Sequence, residues 1–115
     1  MVLIADSGST KCSWKLLSED STIASLYTEG INPFFRTTTS IYDELLKELL
    51  PITTSGVTEI FFYGSGIINE EKANIIRLAL AKLYPGASIA LFSDVVGASR
   101  SLFGTSKGIA CILAR

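Results

Sequence analysis

The sequence predicts an α/β fold: a mixed five-stranded sheet with helices on both faces. Three observations lead there. Residues 2–5 form a continuous apolar run, as a central strand covered on both faces does. That run is the first of three strand-like stretches that follow one another with only short polar links, which favours antiparallel pairing. From residue 41 the apolar period lengthens to that of a helix, and strands and helices alternate.

Taken in order, the first strand ends in the turn 6–9. The second, 12–17, puts Trp14 and Leu16 on one face, and the third, 23–27, follows the polar turn 18–21. Ile41, Leu45, Leu46, Leu49 and Leu50 form a helical stripe. Ser40 with Asp43 resembles a capping box, and Pro51 marks the stop. A strand at 59–63 runs into the turn Gly64-Ser65-Gly66. Asn69 caps a second helix carrying Ala73, Ile76, Leu80 and Leu83, with Glu70 and Glu71 in its first turn and Pro85-Gly86 at its end. Residues 87–92 read as another buried strand. Asp94 opens a short helix with Ala98 and Leu102 inward and Gly104 at its end, and 109–113 is a last strand with no helix after it. A hairpin-led start separates this order from a purely parallel sheet and matches a ribonuclease H-like layout. The trailing strand reads as the opening of a second domain, which places the domains at 1–107 and 108–115.

Composition narrows the chemistry. The 115 residues suit one domain, and 48% hydrophobic with 18% charged residues can bury a core. The net charge is −1 and the ten basic residues are scattered, so no basic stripe points to nucleic acid. Histidine is absent, which excludes a His base or His-ligated metal within these residues and leaves acid–base work to carboxylates, lysine or tyrosine. Cys12 and Cys111 give no CxxC spacing and no disulfide framework, so a reduced, cytoplasmic setting is expected. The apolar run at the start is too short for a signal peptide and lacks a basic leader, and nothing reaches the length of a membrane span.

Asp6-Ser7-Gly8-Ser9-Thr10-Lys11 occupies the turn between the first two strands. A glycine turn lets backbone N–H groups approach phosphate oxygens. Ser9 and Thr10 add hydroxyl donors, Lys11 adds a positive charge, and Asp6 at a strand end suits Mg²⁺ held through water. An ordinary β-turn also favours Asp and Gly. Gly64-Ser65-Gly66 fails the dinucleotide fingerprint because Asn69 stands at the third glycine position. It reads either as a turn of close approach near substrate or as a plain strand-to-helix turn. Asn32, held extended by Pro33, is either a ligand for a polar substrate beside an apolar wall of Phe34 or Phe35, or part of an Asn-Pro turn. Asp94 at a helix start is a cap or a base, and the two roles are compatible.

The hexapeptide from Asp6 to Lys11 resembles the first phosphate motif of the actin–hexokinase–sugar kinase superfamily, in the branch of N-acetylglucosamine kinases and BadF-type ATPases. Gly30-Ile31-Asn32-Pro33-Phe34 resembles that branch's sugar-binding loop. Gly64-Ser65-Gly66 resembles its glycine turn, and Ser93-Asp94-Val95-Val96-Gly97-Ala98 its catalytic segment. The resemblance implies an ATP- and Mg-dependent amino-sugar kinase with an actin-like fold. In it Gly8, Ser9, Thr10 and Lys11 bind phosphate, Asp6 holds Mg through water, Asn32 binds the sugar, and Asp94 contacts the sugar and acts as general base. It also implies a homodimer at full length, no nucleic-acid or membrane partner, and a second domain with its own Gly-Thr-Gly turn and adenosine pocket. Phosphoryl transfer draws on both domains, so little or no catalysis is expected from these residues alone. The alternatives are a BadF-type activator of a dehydratase, with cluster cysteines elsewhere, and a non-catalytic interaction module. A ribonuclease H-like nuclease would need several carboxylates around its metals, and the fourth strand ends in Tyr63-Gly64 without an acid. The apolar strand 109–113 is expected to make an isolated chain self-associate.

Overall fold

The computed structural model describes residues 1–8, 10–18, 21–53, 56–64, 66–67 and 69–93. Strands β1 (Val2–Ser7), β2 (Lys11–Ser18) and β3 (Ser21–Glu29) form an antiparallel meander. Helix α1 (Thr38–Glu48), a short 3-10 turn (Leu50–Ile52), β4 (Glu59–Gly64), α2 (Glu70–Leu83) and β5 (Ser88–Phe92) follow. The sheet order is β3-β2-β1-β4-β5, with β1–β4 and β4–β5 parallel, so the mixed five-stranded sheet is as expected.

Alternation along the strands divides the sheet into two faces. On one, Leu16, Leu3, Ile60 and Ile89 lie side by side, and beyond them Leu26, Trp14, Ala5, Phe62 and Leu91. This face carries the main core. Ile41, Leu45 and Leu49 of α1 and its C-cap pack there, together with Ala73, Ile76, Ala79 and Leu80 of α2. Each fully buried leucine or isoleucine among them contributes roughly 1.5–3 kcal/mol. Both helices among the described residues therefore sit on the same face. The helix expected from Asp94 and the strand at 109–113 lie outside the described residues, as does the boundary at 107/108.

The opposite face carries a smaller cluster of Ile4, Leu17 and Tyr63, with Val2, Phe61 and Phe92 against it. Tyr63 stacks on Phe92 at 5.2 Å. β5 is half-buried along its length, apart from an exposed first residue. It has a single neighbour among the described strands, and so lacks the full burial its apolar sequence suggests.

Two helix starts separate what the sequence shows from what packing selects. Asn69 caps α2 as expected, its side chain accepting the Lys72 N–H at 2.9 Å. The cap of α1 is Thr37, which accepts the Ser40 N–H at 3.1 Å, so Ser40 and Asp43 form no capping box. The run Thr37-Thr38-Thr39-Ser40 offers four hydroxyl candidates for one cap. Thr38 is taken by another contact, donating to the Ile75 carbonyl of α2 at 2.9 Å. Ser40 is claimed by Arg36, which reaches its hydroxyl and its carbonyl. Leu46 leaves the expected stripe and faces solvent, because residues spaced by four (Ile41, Leu45, Leu49) already fill the helix's inward line.

One buried polar pair deep in the core is fully used. The Trp14 indole N–H donates to Thr28 Oγ1 at 2.9 Å across β2 and β3. Thr28→Val keeps the shape and strands the indole N–H, at a cost of about 1–3 kcal/mol. Urea unfolding followed by Trp14 fluorescence measures it, and a midpoint equal to wild type would show that the bond contributes nothing.

Candidate functional site

The hairpin between β1 and β2 forms one wall of an open cleft of about 370 Å³, lined by Asp6, Gly8, Thr10, Lys11, Ser13 and Tyr27. It lies at the C-terminal end of β1, on the face away from the helices. The register explains its membership: Tyr27, Ser13 and Asp6 stand opposite one another on three adjacent strands, and Tyr63 and Phe92 continue the row.

The hairpin is tight. Gly8 N–H donates to the Lys11 carbonyl at 2.9 Å and is used within the turn. What faces outward is the Asp6 carboxylate, the Thr10 hydroxyl and the Lys11 ammonium. Asp6 is exposed and has no hydrogen bond or ion pair among the described residues. A Cβ on Gly8 would meet only the Lys11 carbonyl, at an ordinary 3.6 Å. The fold therefore tolerates a larger residue there, and the glycine leaves the cleft floor bare. Ser9 lies outside the described residues.

The loop after β3 is tied to the same hairpin. Gly30 N–H donates to the Thr10 carbonyl at 3.1 Å. Ser7, the last residue of β1, is buried. Its hydroxyl accepts the Ile31 N–H at 2.7 Å and lies 3.2 Å from the Ile31 carbonyl, to which it can donate. Asn32 folds the loop on itself. Its Oδ1 accepts the Phe34 N–H at 2.9 Å, and its carbonyl accepts the N–H groups of Phe35 and Arg36. Gly66 closes against it: a Cβ there would stand 2.6 Å from Asn32 Oδ1 and 2.8 Å from Pro33 Cδ. The glycine turn after β4 is thus a close approach to the Asn32 loop. Phe34 and Phe35 stay at the surface, Phe35 85% exposed, and the Lys72 ammonium sits 4.5 Å from the Phe34 ring centroid. Arg36 pins the loop to α1 by a 2.6 Å ion pair with Glu44, whose other oxygen accepts the Glu29 N–H.

Asp6, Gly8, Thr10 and Lys11 are therefore together in one cleft. Asn32 is attached to the same hairpin through Ile31 and Gly30. Asp94 lies outside the described residues. The strand that leads to it ends at Phe92, in the row of Asp6. Sequence reasoning missed Ser7 as the buried tie, and Ser13 and Tyr27 as cleft residues. Hairpin arithmetic could have found Ser13, because a turn over residues 8–11 sets Asp6 opposite it. The neighbour of Asp6 on β4 is Tyr63, not an acid. No group of three or more His, Cys, Asp or Glu among the described residues is placed to hold a metal ion. No helix among them is long and apolar enough to cross a membrane.

Burial sets the titration of this region. Burial pushes the Cys12 thiol well above its ordinary value, so it is no nucleophile at neutral pH. Burial likewise raises the Tyr63 phenol from 10.0 to about 12. Tyr63 beside Asp6 is therefore neutral at physiological pH and is no base.

No protein-family model and no curated protein matches the chain. Among solved structures, a protein of Porphyromonas gingivalis described as a candidate N-acetylglucosamine kinase superposes with a TM-score of 0.76. It is 35% identical over 89% of this chain, and the chain spans 37% of its length. The chain thus has the ribonuclease H-like fold of an actin-like ATPase domain, and its likeness to a sugar-kinase structure extends to sequence.

Two measurements check this geometry. Ser7→Ala removes the acceptor of a buried N–H and should cost about 1–3 kcal/mol. Amide exchange at Ile31 should accelerate beyond the change in global stability, and unchanged protection there would dismiss the tie. Tyr63 holds its proton more tightly in the folded state, so its contribution is complete below pH 10 and lost between pH 10 and about 12. Tyr63→Phe should flatten the fall of stability with pH in that window, and an identical slope would show that Tyr63 does not titrate there.

Proposed function

We propose that this chain is the phosphate-gripping domain of an ATP-dependent amino-sugar kinase of the N-acetylglucosamine kinase kind. The observation that carries this reading is the convergence of an unpaired carboxylate, a hydroxyl and an ammonium in one open cleft at the end of β1. That cleft lies in a chain 35% identical to a candidate N-acetylglucosamine kinase. Open α/β sheets bind ligands outside the carboxyl ends of their strands.

The residues fit a magnesium nucleotide. Lys11 supplies a compact positive charge for phosphate oxygens. Thr10, with Ser9, supplies hydroxyl donors, and Gly8 leaves room for a phosphate to approach the hairpin. Asp6 suits a water-mediated contact to Mg²⁺, which usually keeps several waters in its shell. ATP, when bound, supplies the phosphoryl group, with Mg²⁺ offsetting its charge. The Asn32 side chain offers its amide to sugar hydroxyls or to an acetamido group, with Phe34 beside it. Asp94 is assigned as the base that accepts the proton of the attacking sugar hydroxyl. Catalysis in this class rests on positioning and charge from both sides of the phosphoryl group. These residues form one wall, and turnover needs the other.

Titration of the chain with inorganic triphosphate and Mg²⁺ tests the phosphate site. Amide shifts at residues 6–11 are expected. Gly8→Ala should leave the unfolding midpoint near wild type and weaken binding, and equal affinity in that variant would count against the cleft. In an enzyme carrying this domain with its second domain, Asp94→Asn should lower kcat with N-acetylglucosamine by about 10²-fold or more. Sugar affinity should hardly change. Near-normal turnover would reduce Asp94 to a helix cap.

A further inference from the structure

One contact in the cleft plays no part in that reading. The Lys11 ammonium lies 4.9 Å from the centroid of the Tyr27 ring. The register sets Lys11 directly opposite Glu29, with Tyr27 two residues away on the same face of β3. Long side chains reach a diagonal neighbour at this spacing. Two partners thus stand within reach of one ammonium, a carboxylate and a ring. Among the described residues the ion pairs are Arg36 with Glu44 and Arg77 with Glu70, and Lys11 goes to the ring. Tyr27 is 68% exposed and lines the cleft in the row of Ser13 and Asp6.

The choice of partner matters for an anionic ligand. A salt bridge to Glu29 would neutralise Lys11 and leave Asp6 as the uncompensated charge of the cleft. An aromatic face attracts the ammonium through its quadrupole and leaves the charge intact. It also restricts a side chain that otherwise loses much rotamer freedom on binding. We propose that Tyr27 is a positioning residue: its ring holds the Lys11 ammonium beside the cleft and away from Glu29, ready for phosphate. The proposal rests on the phosphate reading of the cleft.

Two readouts on the 115-residue chain separate the proposal from that reading. The first needs no ligand. Ring current should shift the Lys11 ε-methylene resonances upfield in wild type and in Tyr27→Phe, and the shift should vanish in Tyr27→Leu. The absence of any shift in wild type would overturn the proposal. The second is calorimetric titration with inorganic triphosphate and Mg²⁺. Tyr27→Leu should weaken binding about two- to five-fold, the range of an exposed cation–π contact. Tyr27→Phe should bind as wild type, and Tyr27→Leu should add nothing in a Lys11→Met background. Equal losses from Tyr27→Leu in both backgrounds would show that the ring acts independently of Lys11 and overturn the proposal. So would a loss in Lys11→Met with none in Tyr27→Leu. Equal binding by wild type and Lys11→Met would instead remove the phosphate reading, whatever the ring-current result.

Discussion

The Ser7 hydroxyl accepts the Ile31 N–H at 2.7 Å and faces the Ile31 carbonyl at 3.2 Å, buried at the end of the central strand. Two backbone groups of a loop entering the core are thereby satisfied by one side chain, where an unmet buried group would be costly. The bond joins the two segments that the functional reading needs together. Directly after Ser7 comes the hairpin with Gly8, Thr10 and Lys11. Downstream stands the folded loop with Asn32, itself closed against Gly66. Ser7 and Asp6 are adjacent in sequence and point to opposite faces, as neighbours on a strand must. One anchors the loop on the helix side, and the other is presented to the cleft.

That division extends across the sheet. Cys12, Trp14, Leu3, Ala5, Ile60 and Phe62 bind the helices to one face, so the strands are fixed firmly by apolar burial. The other face carries a smaller apolar cluster of Val2, Ile4, Leu17, Phe61, Tyr63 and Phe92, and beside it the polar positions Asp6 and Ser13 with Tyr27 on β1, β2 and β3. A rigid platform under an exposed carboxylate, hydroxyl and ammonium is what positioning chemistry demands. The network of Arg36, Glu44, Glu29 and Ser40 extends the same support to the Asn32 loop. It works through hydrogen bonds to backbone and side chain as well as through charge, and an isolated surface ion pair would contribute less.

Much of this was legible in the residues. The meander followed by strand–helix alternation, the Asn69 cap and the hairpin carrying Asp6 through Lys11 were all read correctly. Each depends on local periodicity or turn chemistry. The third strand runs longer than its apolar stretch 23–27 suggested, as Ser21–Glu29, and the fifth starts one residue later than expected, as Ser88–Phe92. The start of α1 was misread, because four consecutive hydroxyl residues each satisfy the local rule for a cap. Contacts from Arg36 and to Ile75 decide among them, and those contacts are tertiary. The outward turn of Leu46 has the same origin.

Among the described residues, the sequence by itself determined which segments are strands and helices, because alternation and helical stripes follow from backbone geometry and need no partner. It also determined that Asp6, Gly8, Thr10 and Lys11 share one turn, because they are neighbours along the chain. Only the tertiary structure decided that Tyr27 joins them. The pairing of β2 with β3 carries a shift between Leu16 and Leu17, and a one-residue slip in pairing moves a strand's side chains to the opposite face. No local preference records that shift. It is fixed when Trp14, Leu16, Ala24 and Leu26 settle against the helices in one core, and the side of the sheet that Tyr27 occupies is fixed with it.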